Sequence, residues 1–157
     1  KLRTRTRADR KAAYVVRAGG DRPGHRSTDG RNATVDWKLE LVGVPVTDVD
    51  RAKKFYTEQA GFVADHDHQI NEDLRFVQCT PPGSGCSIAF GTNLSPMAPG
   101  TLQGLQMVVA DIDAARQELL DRGVEVSDVE SFPWGRFVYF TDPDGNGWAV
   151  QEIPRPS

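Results

Sequence analysis

The sequence predicts an α+β fold of two tandem βαβββ modules, forming a curved mixed sheet around a cleft. Two internal alignments carry this reading. The segment Thr80-Pro81-Pro82-Gly83-Ser84-Gly85-Cys86-Ser87-Ile88-Ala89-Phe90 lines up without a gap on Asp142-Pro143-Asp144-Gly145-Asn146-Gly147-Trp148-Ala149-Val150-Gln151-Glu152, a tight turn followed by a strand in both cases. Upstream, Val46-Thr47-Asp48-Val49-Asp50 lines up on Val109-Ala110-Asp111-Ile112-Asp113, and the two offsets are 63 and 62 positions, so the intervening segments match in length. Two half-sheets related by an internal two-fold can enclose a site that neither builds alone.

The elements follow in order. Leu39 to Val46 alternates, with Val42, Val44 and Val46 on a helix-packing face and Leu41, Gly43 and Pro45 on the other. Pro45 belongs near a strand end or edge, where its missing donor costs little. Asp48 is a helix cap, followed by Val49, Ala52, Phe55 and Tyr56 at helical spacing, and Gly61 stops the helix. Phe62 to His68, Leu74 to Thr80 and Cys86 to Phe90 read as strands. In the second copy Leu105, Met107 and Val109 repeat the helix-facing positions and Asp111 caps. Ile112, Ala115, Leu119 and Leu120 form the stripe, and Gly123 takes the left-handed stop. Val124 to Val129, Arg136 to Thr141 and Gly147 to Ile153 complete the strands, with Asp142-Pro143-Asp144-Gly145-Asn146 as a turn. The folded domain is expected over 37–154, with module one at about 38–90, a Pro/Gly/Ser/Asn linker at 91–100 and module two at about 101–153.

Composition narrows the function. The apolar and charged fractions, 38% and 26%, are those of a globular domain, and no apolar run approaches the roughly 20 residues that span a bilayer. Residues 1–34 hold ten Lys or Arg against three Asp, a net of +7, so the total of −3 leaves −10 on the remainder. An acidic body argues against nucleic acid as the partner of the folded domain. Residues 1–36 are too polar to offset ordering entropy and are expected to be a disordered basic extension. Three readings of it stand: a nucleic-acid or membrane-surface tail, an Arg-rich transit peptide, or an upstream extension outside the working protein. The lack of an initial Met and the onset of folded character at Asp36-Trp37-Lys38 favour the third. Cys79 and Cys86 fit no zinc ribbon and read as reduced thiols of a cytoplasmic protein.

A strand, a Val-x-Asp-x-Asp-x-Ala helix start with Phe55-Tyr56 before Gly61-Phe62, and an Asp-Pro-Asp-Gly-Asn turn entering the last strand together resemble the vicinal oxygen chelate superfamily, of glyoxalase, bleomycin-resistance and dioxygenase type. The resemblance covers about residues 38–153. It implies a homodimer with shared or exchanged modules and, in members that do chemistry, a divalent metal at the centre of the joined sheets acting as a Lewis acid. Its ligands come from the first and last strands of each module, usually His on a first strand and Glu on a last. Carried over, those positions fall on Leu41, Ser87, Gly104 and Ala149, none of them a good ligand. A shift of one residue brings apolar side chains, and a shift of two brings Gly43, Gln106, Ala89 and Gln151. The family metal centre is therefore expected to be absent and no cofactor is expected.

Other residues remain candidates. His66 and His68 share a strand face and could form a displaced divalent-metal site, although a solvated strand end is the plainer reading. Trp134, Arg136 and Tyr139 could clamp a flat or anionic small molecule at the rim of a concave sheet, while Trp148 has the parity of core. Gln106 and Gln151 come from matched strands facing a shared cavity and touch either a ligand or each other. The expected function is a metal-free small-molecule-binding protein of bleomycin-resistance type. The alternatives are a lyase, isomerase or dioxygenase-type enzyme with a non-standard metal site or metal-free acid/base residues, and an accessory module pairing with another protein.

Overall fold

The computed structural model describes residues 35–155. The expectation of a disordered basic extension falls, for residues 1–34, outside the described residues. Module one runs β1 (Leu41–Gly43), α1 (Val49–Lys54) continuing as a π-helical turn (Phe55–Gln59), β2 (Val63–Asn71), β3 (Leu74–Thr80) and β4 (Ser87–Gly91). Module two runs β5 (Leu105–Val109), α2 (Ile112–Asp121), β6 (Glu130–Phe132), β7 (Gly135–Thr141) and β8 (Gly147–Glu152). Each module forms one mixed four-stranded sheet, in the orders β1-β4-β3-β2 and β5-β8-β7-β6. In each the first strand pairs parallel to the last and the remaining pairs are antiparallel. The curved sheet is thus divided into two equivalent halves.

The helix starts are set by their caps. The Asp48 carboxylate accepts from Arg51 N at 3.0 Å and the Asp111 carboxylate from Ala114 N at 3.0 Å, satisfying otherwise orphaned donors. Both stops are glycines in the left-handed region, Gly61 at φ +78° and Gly123 at φ +80°, where a Cβ would be strained. The π-helical turn was not foreseen from the apolar stripe. Its wider turn brings the adjacent Phe55 and Tyr56 both into the core, and Phe62 N closes it by donating to Tyr56 O at 2.8 Å.

Two strands differ from expectation. The first is short because Pro45 lacks a donor, and after Gly43 it continues only as a single bond from Val44 N to Ala89 O. The stretch Val124 to Val129 is not a strand; the pairing begins at Glu130. Ser127 explains this: its N–H bonds Tyr139 O, its hydroxyl replaces the backbone acceptor for Tyr139 N, and its carbonyl is taken by the Arg116 guanidinium.

The helix-side faces of both sheets share one core. Val77, Cys79, Ile88 and Phe90 from the first sheet and Val138, Phe140, Trp148 and Val150 from the second meet around Phe55, Tyr56, Phe62 and Ile112. Tyr56 stacks on Phe90 at 5.5 Å between centroids and meets Trp148 edge-on at 6.0 Å, so one side chain joins the two sheets. The other face of each sheet turns away from this core. The two modules therefore pack back to back through this core, and the other face of the second sheet carries the exposed Gln106, Val108 and Tyr139.

At the junction the second turn is clamped onto module one. Tyr56 Oη donates to Asp142 Oδ2 at 2.8 Å and accepts from Trp148 Nε1 at 3.1 Å. Asn146 Nδ2 donates to Asp142 Oδ2 and to Pro45 O, both at 2.8 Å, while Asp142 Oδ1 accepts from Asp144 N and Asn146 N. The buried carboxylate thus has a full set of donors. Burial, followed by the Asp142 charge, raises the Tyr56 phenol well above its ordinary range, so it stays a donor.

Candidate functional site

The open face of the second sheet is built by strand alternation. With Val138, Phe140, Trp148 and Val150 committed to the core, their neighbours Phe137, Tyr139, Ala149 and Gln151 point the other way. Register places Phe137 opposite Gln151 and Tyr139 opposite Ala149, and Ala149 in turn opposite Gln106. One row therefore reads Gln106, Ala149, Tyr139, with a small side chain between two larger ones. The β6–β7 hairpin extends the face outward: Phe132 stacks on Trp134 at 5.2 Å and meets Phe137 at 5.8 Å, and Phe137 stacks on Tyr139 at 6.2 Å. These four rings make a continuous aromatic run, with Trp134 62% exposed and Tyr139 38% exposed. Phe132, Trp134 and Tyr139 thus form a grouped exposed aromatic patch on a buried Phe137, not scattered apolar residues.

The carboxamides Gln106 and Gln151 bond each other. Gln106 Nε2 donates to Gln151 Oε1 at 2.6 Å, and Gln151 Nε2 donates to the Trp134 carbonyl at 2.9 Å. Trp134 and Tyr139 lie on the same face as the pair. Arg136 does not. It sits on the helix side of β7, where its guanidinium bonds both carboxylate oxygens of Asp113 at 3.0 and 3.1 Å, and Glu152 lies 3.7 Å away. Strand parity, one residue from Phe137, already separates it from the aromatic run. Trp148 is core, 4% exposed and bonded to Tyr56. Phe132 was missed because residues before Trp134 read as a loop, whereas Phe132 pairs with Gly135 in a tight hairpin.

The positions matched to family metal ligands do not fit a transition metal. Leu41 and Ser87 are paired in register on the face of the first sheet away from the core, where Ser87 is buried and its hydroxyl is engaged by Thr80 Oγ1 at 2.7 Å and Gln78 Nε2 at 3.3 Å. In the second module Gly104 and Ala149 offer no donor. They line, with Tyr139, Thr141, Phe55 and Gln59, a groove of about 690 Å³, and a Cβ at Gly104 would meet nothing within 4 Å. Neither position supplies an imidazole, thiolate or carboxylate for a metal.

His66 and His68 lie mid-strand in β2, opposite Gln78 and Phe76, with rings stacked at 5.6 Å. They face the open side of the first sheet, near a polar chain in which Thr80 Oγ1 donates to Asp65. No group of three or more His, Cys, Asp or Glu able to hold a metal exists among the described residues. Asp67 points to the other side, where Arg75 and Lys53 bond it and hold its carboxyl well below the usual range, Arg75 contributing most. Both cysteines are free thiols. Burial and the nearby Asp65 charge push Cys79 up to about 11, so it is not a ready nucleophile.

Known proteins share this fold. TnmS3, an antibiotic binding protein from Streptomyces sp. CB03234, is 35% identical, with 78% of this chain and 100% of that chain covered at a TM-score of 0.70. A glyoxalase/bleomycin resistance protein from the same organism is 38% identical, covering 73% and 99% of the two chains at a TM-score of 0.65. The uncharacterized protein YetH of Bacillus subtilis (strain 168) is 30% identical over 119 residues, 73% of this chain and 98% of YetH. A family model matches residues 38–150. That match spans both βαβββ modules, and the chain belongs to the glyoxalase/bleomycin resistance protein/dioxygenase superfamily.

Proposed function

We propose that the protein binds a flat aromatic small molecule on the open face of the second sheet, without a metal and without making or breaking a bond. The observation that carries this reading is the aromatic run Trp134, Phe132, Phe137 and Tyr139 beside the small floor of Gly104 and Ala149. Stacked rings supply area and orientation to a planar ligand. The donor-poor family positions support a metal-free site. The likeness to an antibiotic binding protein supports sequestration as the purpose. The exposed face of the second sheet supports, as part of this reading, a homodimer in which a second copy covers it. Free Cys79 and Cys86 support a reducing, cytoplasmic setting.

Calorimetric titration of the purified protein with planar aromatic probes tests the proposal. Trp134→Ala and Tyr139→Ala are each expected to weaken binding by about tenfold, the scale of a lost stacking contact, with little change in melting temperature because both side chains are exposed. Elemental analysis supplies the opposing result: a stoichiometric transition metal that is lost on changing His66 and His68 to Ala would overturn the metal-free reading.

A further inference from the structure

The amide chain on the second sheet has a direction, and that direction comes from the backbone. A carbonyl oxygen can only accept, so the Gln151 atom 2.9 Å from Trp134 O must be the nitrogen. This settles the amide orientation that the side chain alone leaves ambiguous. Gln151 Oε1 then faces Gln106, which must present its own nitrogen at 2.6 Å. Gln106 Oε1 is left over. No described group donates to it, and Gln106 is exposed on the open face in the same row as Ala149 and Tyr139.

We infer that Gln106 is a specificity-determining residue whose Oε1 accepts a hydrogen bond from a hydroxyl or N–H group on the ligand, with Gln151 and the Trp134 carbonyl holding it in that orientation. This rests on the proposed binding of a planar ligand at this face. A ligand that covers Gln106 without offering a donor strips water from Oε1 and puts nothing in its place, which costs affinity. The aromatic run selects for flatness and the amide chain selects among flat molecules for those carrying a donor at the edge beside Ala149. Gln151 is a positioning residue: without it the Gln106 amide is free to turn over and offer nitrogen instead.

The experiment compares 2-naphthol with 2-methoxynaphthalene, which differ by the donor, titrated calorimetrically at neutral pH against the wild-type protein, Gln106→Met and Gln151→Met. The ratio of the two affinities in Gln106→Met is the reference for their difference in hydrophobicity. The wild type is expected to favour the naphthol by about three- to tenfold over that reference, the range of one net hydrogen bond. Gln151→Met is expected to move the ratio toward the reference while both probes still bind. A ratio that is the same in wild type and Gln106→Met, with both probes binding, overturns this inference and leaves the planar-ligand reading intact. Failure of both probes to bind the wild type overturns both.

Discussion

The turn at Asp142–Gly147 and its duplicate at Thr80–Gly85 share a sequence pattern and lead into equivalent strands, yet they serve the molecule differently. The second turn buries Asp142 and Asn146 and crosses between the modules: these two reach Tyr56 and Pro45, and Asp144 accepts from Thr47 Oγ1 at 2.6 Å and from Arg51 Nη2 at 3.1 Å. The first turn bonds locally, Ser84 to Cys86, and a groove of about 410 Å³ separates Pro81–Ser84 from β5 and α2. The cause is on the partner side of each turn. By the internal alignment Thr47, Arg51 and Tyr56 correspond to Ala110, Ala114 and Leu119. Module two has nothing to offer an Asp at position 80, and Thr80 stands there instead, bonded within its own sheet to Asp65 and Ser87. A duplicated sequence has become one lock and one open loop.

The contrast can be broken at its strongest point. Asp142→Ala strands Tyr56, Asn146 and two backbone donors in the core and is expected to cost about 3–4 kcal/mol in urea denaturation, whereas Thr80→Ala should cost about 1 kcal/mol or less. Equal losses would mean that the two turns carry equal weight after all. A finer test uses one substitution at equivalent glycines. A Cβ at Gly147 would lie 2.0 Å from Gln103 Oε1, while one at Gly85 meets nothing within 4 Å. Gln103 Nε2 bonds Gly100 O and Gly145 O and would have to move. Gly147→Ala is therefore expected to lower stability by about 1 kcal/mol, and Gly85→Ala to leave it within about 0.5 kcal/mol.

The smallest expected effect concerns how module one holds its own helix. Lys53 on α1 bonds Asp67 on β2 at 2.8 Å, and Arg75 on β3 bonds Asp67 and Asp50. The folded state depresses the Asp67 carboxyl, chiefly through Arg75. Its stabilisation is therefore complete above the unfolded carboxylate range and is lost as pH falls below about 4. Asp67→Asn should remove up to about 1 kcal/mol at neutral pH, the limit set by solvent screening of a partly exposed pair, and should flatten the acid side of a stability profile.

Much of this was legible in the sequence, because duplication makes each half a check on the other. Both caps, both glycine stops, the strand β3 and the core parity of Trp148 follow from short-range chemistry and period. Ser127 shows what was not legible: a side-chain hydroxyl replaced a ladder bond and moved the start of β6. At the site, strand alternation groups Gln106 with Gln151, and nearness in sequence groups Trp134 with Tyr139. Arg136 was grouped with them by nearness in sequence, and its alternation sends it instead to Asp113 on α2. Which sheet face meets the other module is decided by tertiary packing, which no local pattern records.

The bond from Asn146 to Pro45 joins residues 101 positions apart. During synthesis, at roughly 5–20 residues per second, module one waits on the order of 5–20 seconds for its clamp. Tyr56, Phe62 and Phe90 are meanwhile without the Trp148 surface that completes their packing. Chains stalled before Asp142 are expected to be cut rapidly in module one by a pulse of protease, and chains released past Asn146 to resist it, so that the last turn made times the closure of the first half.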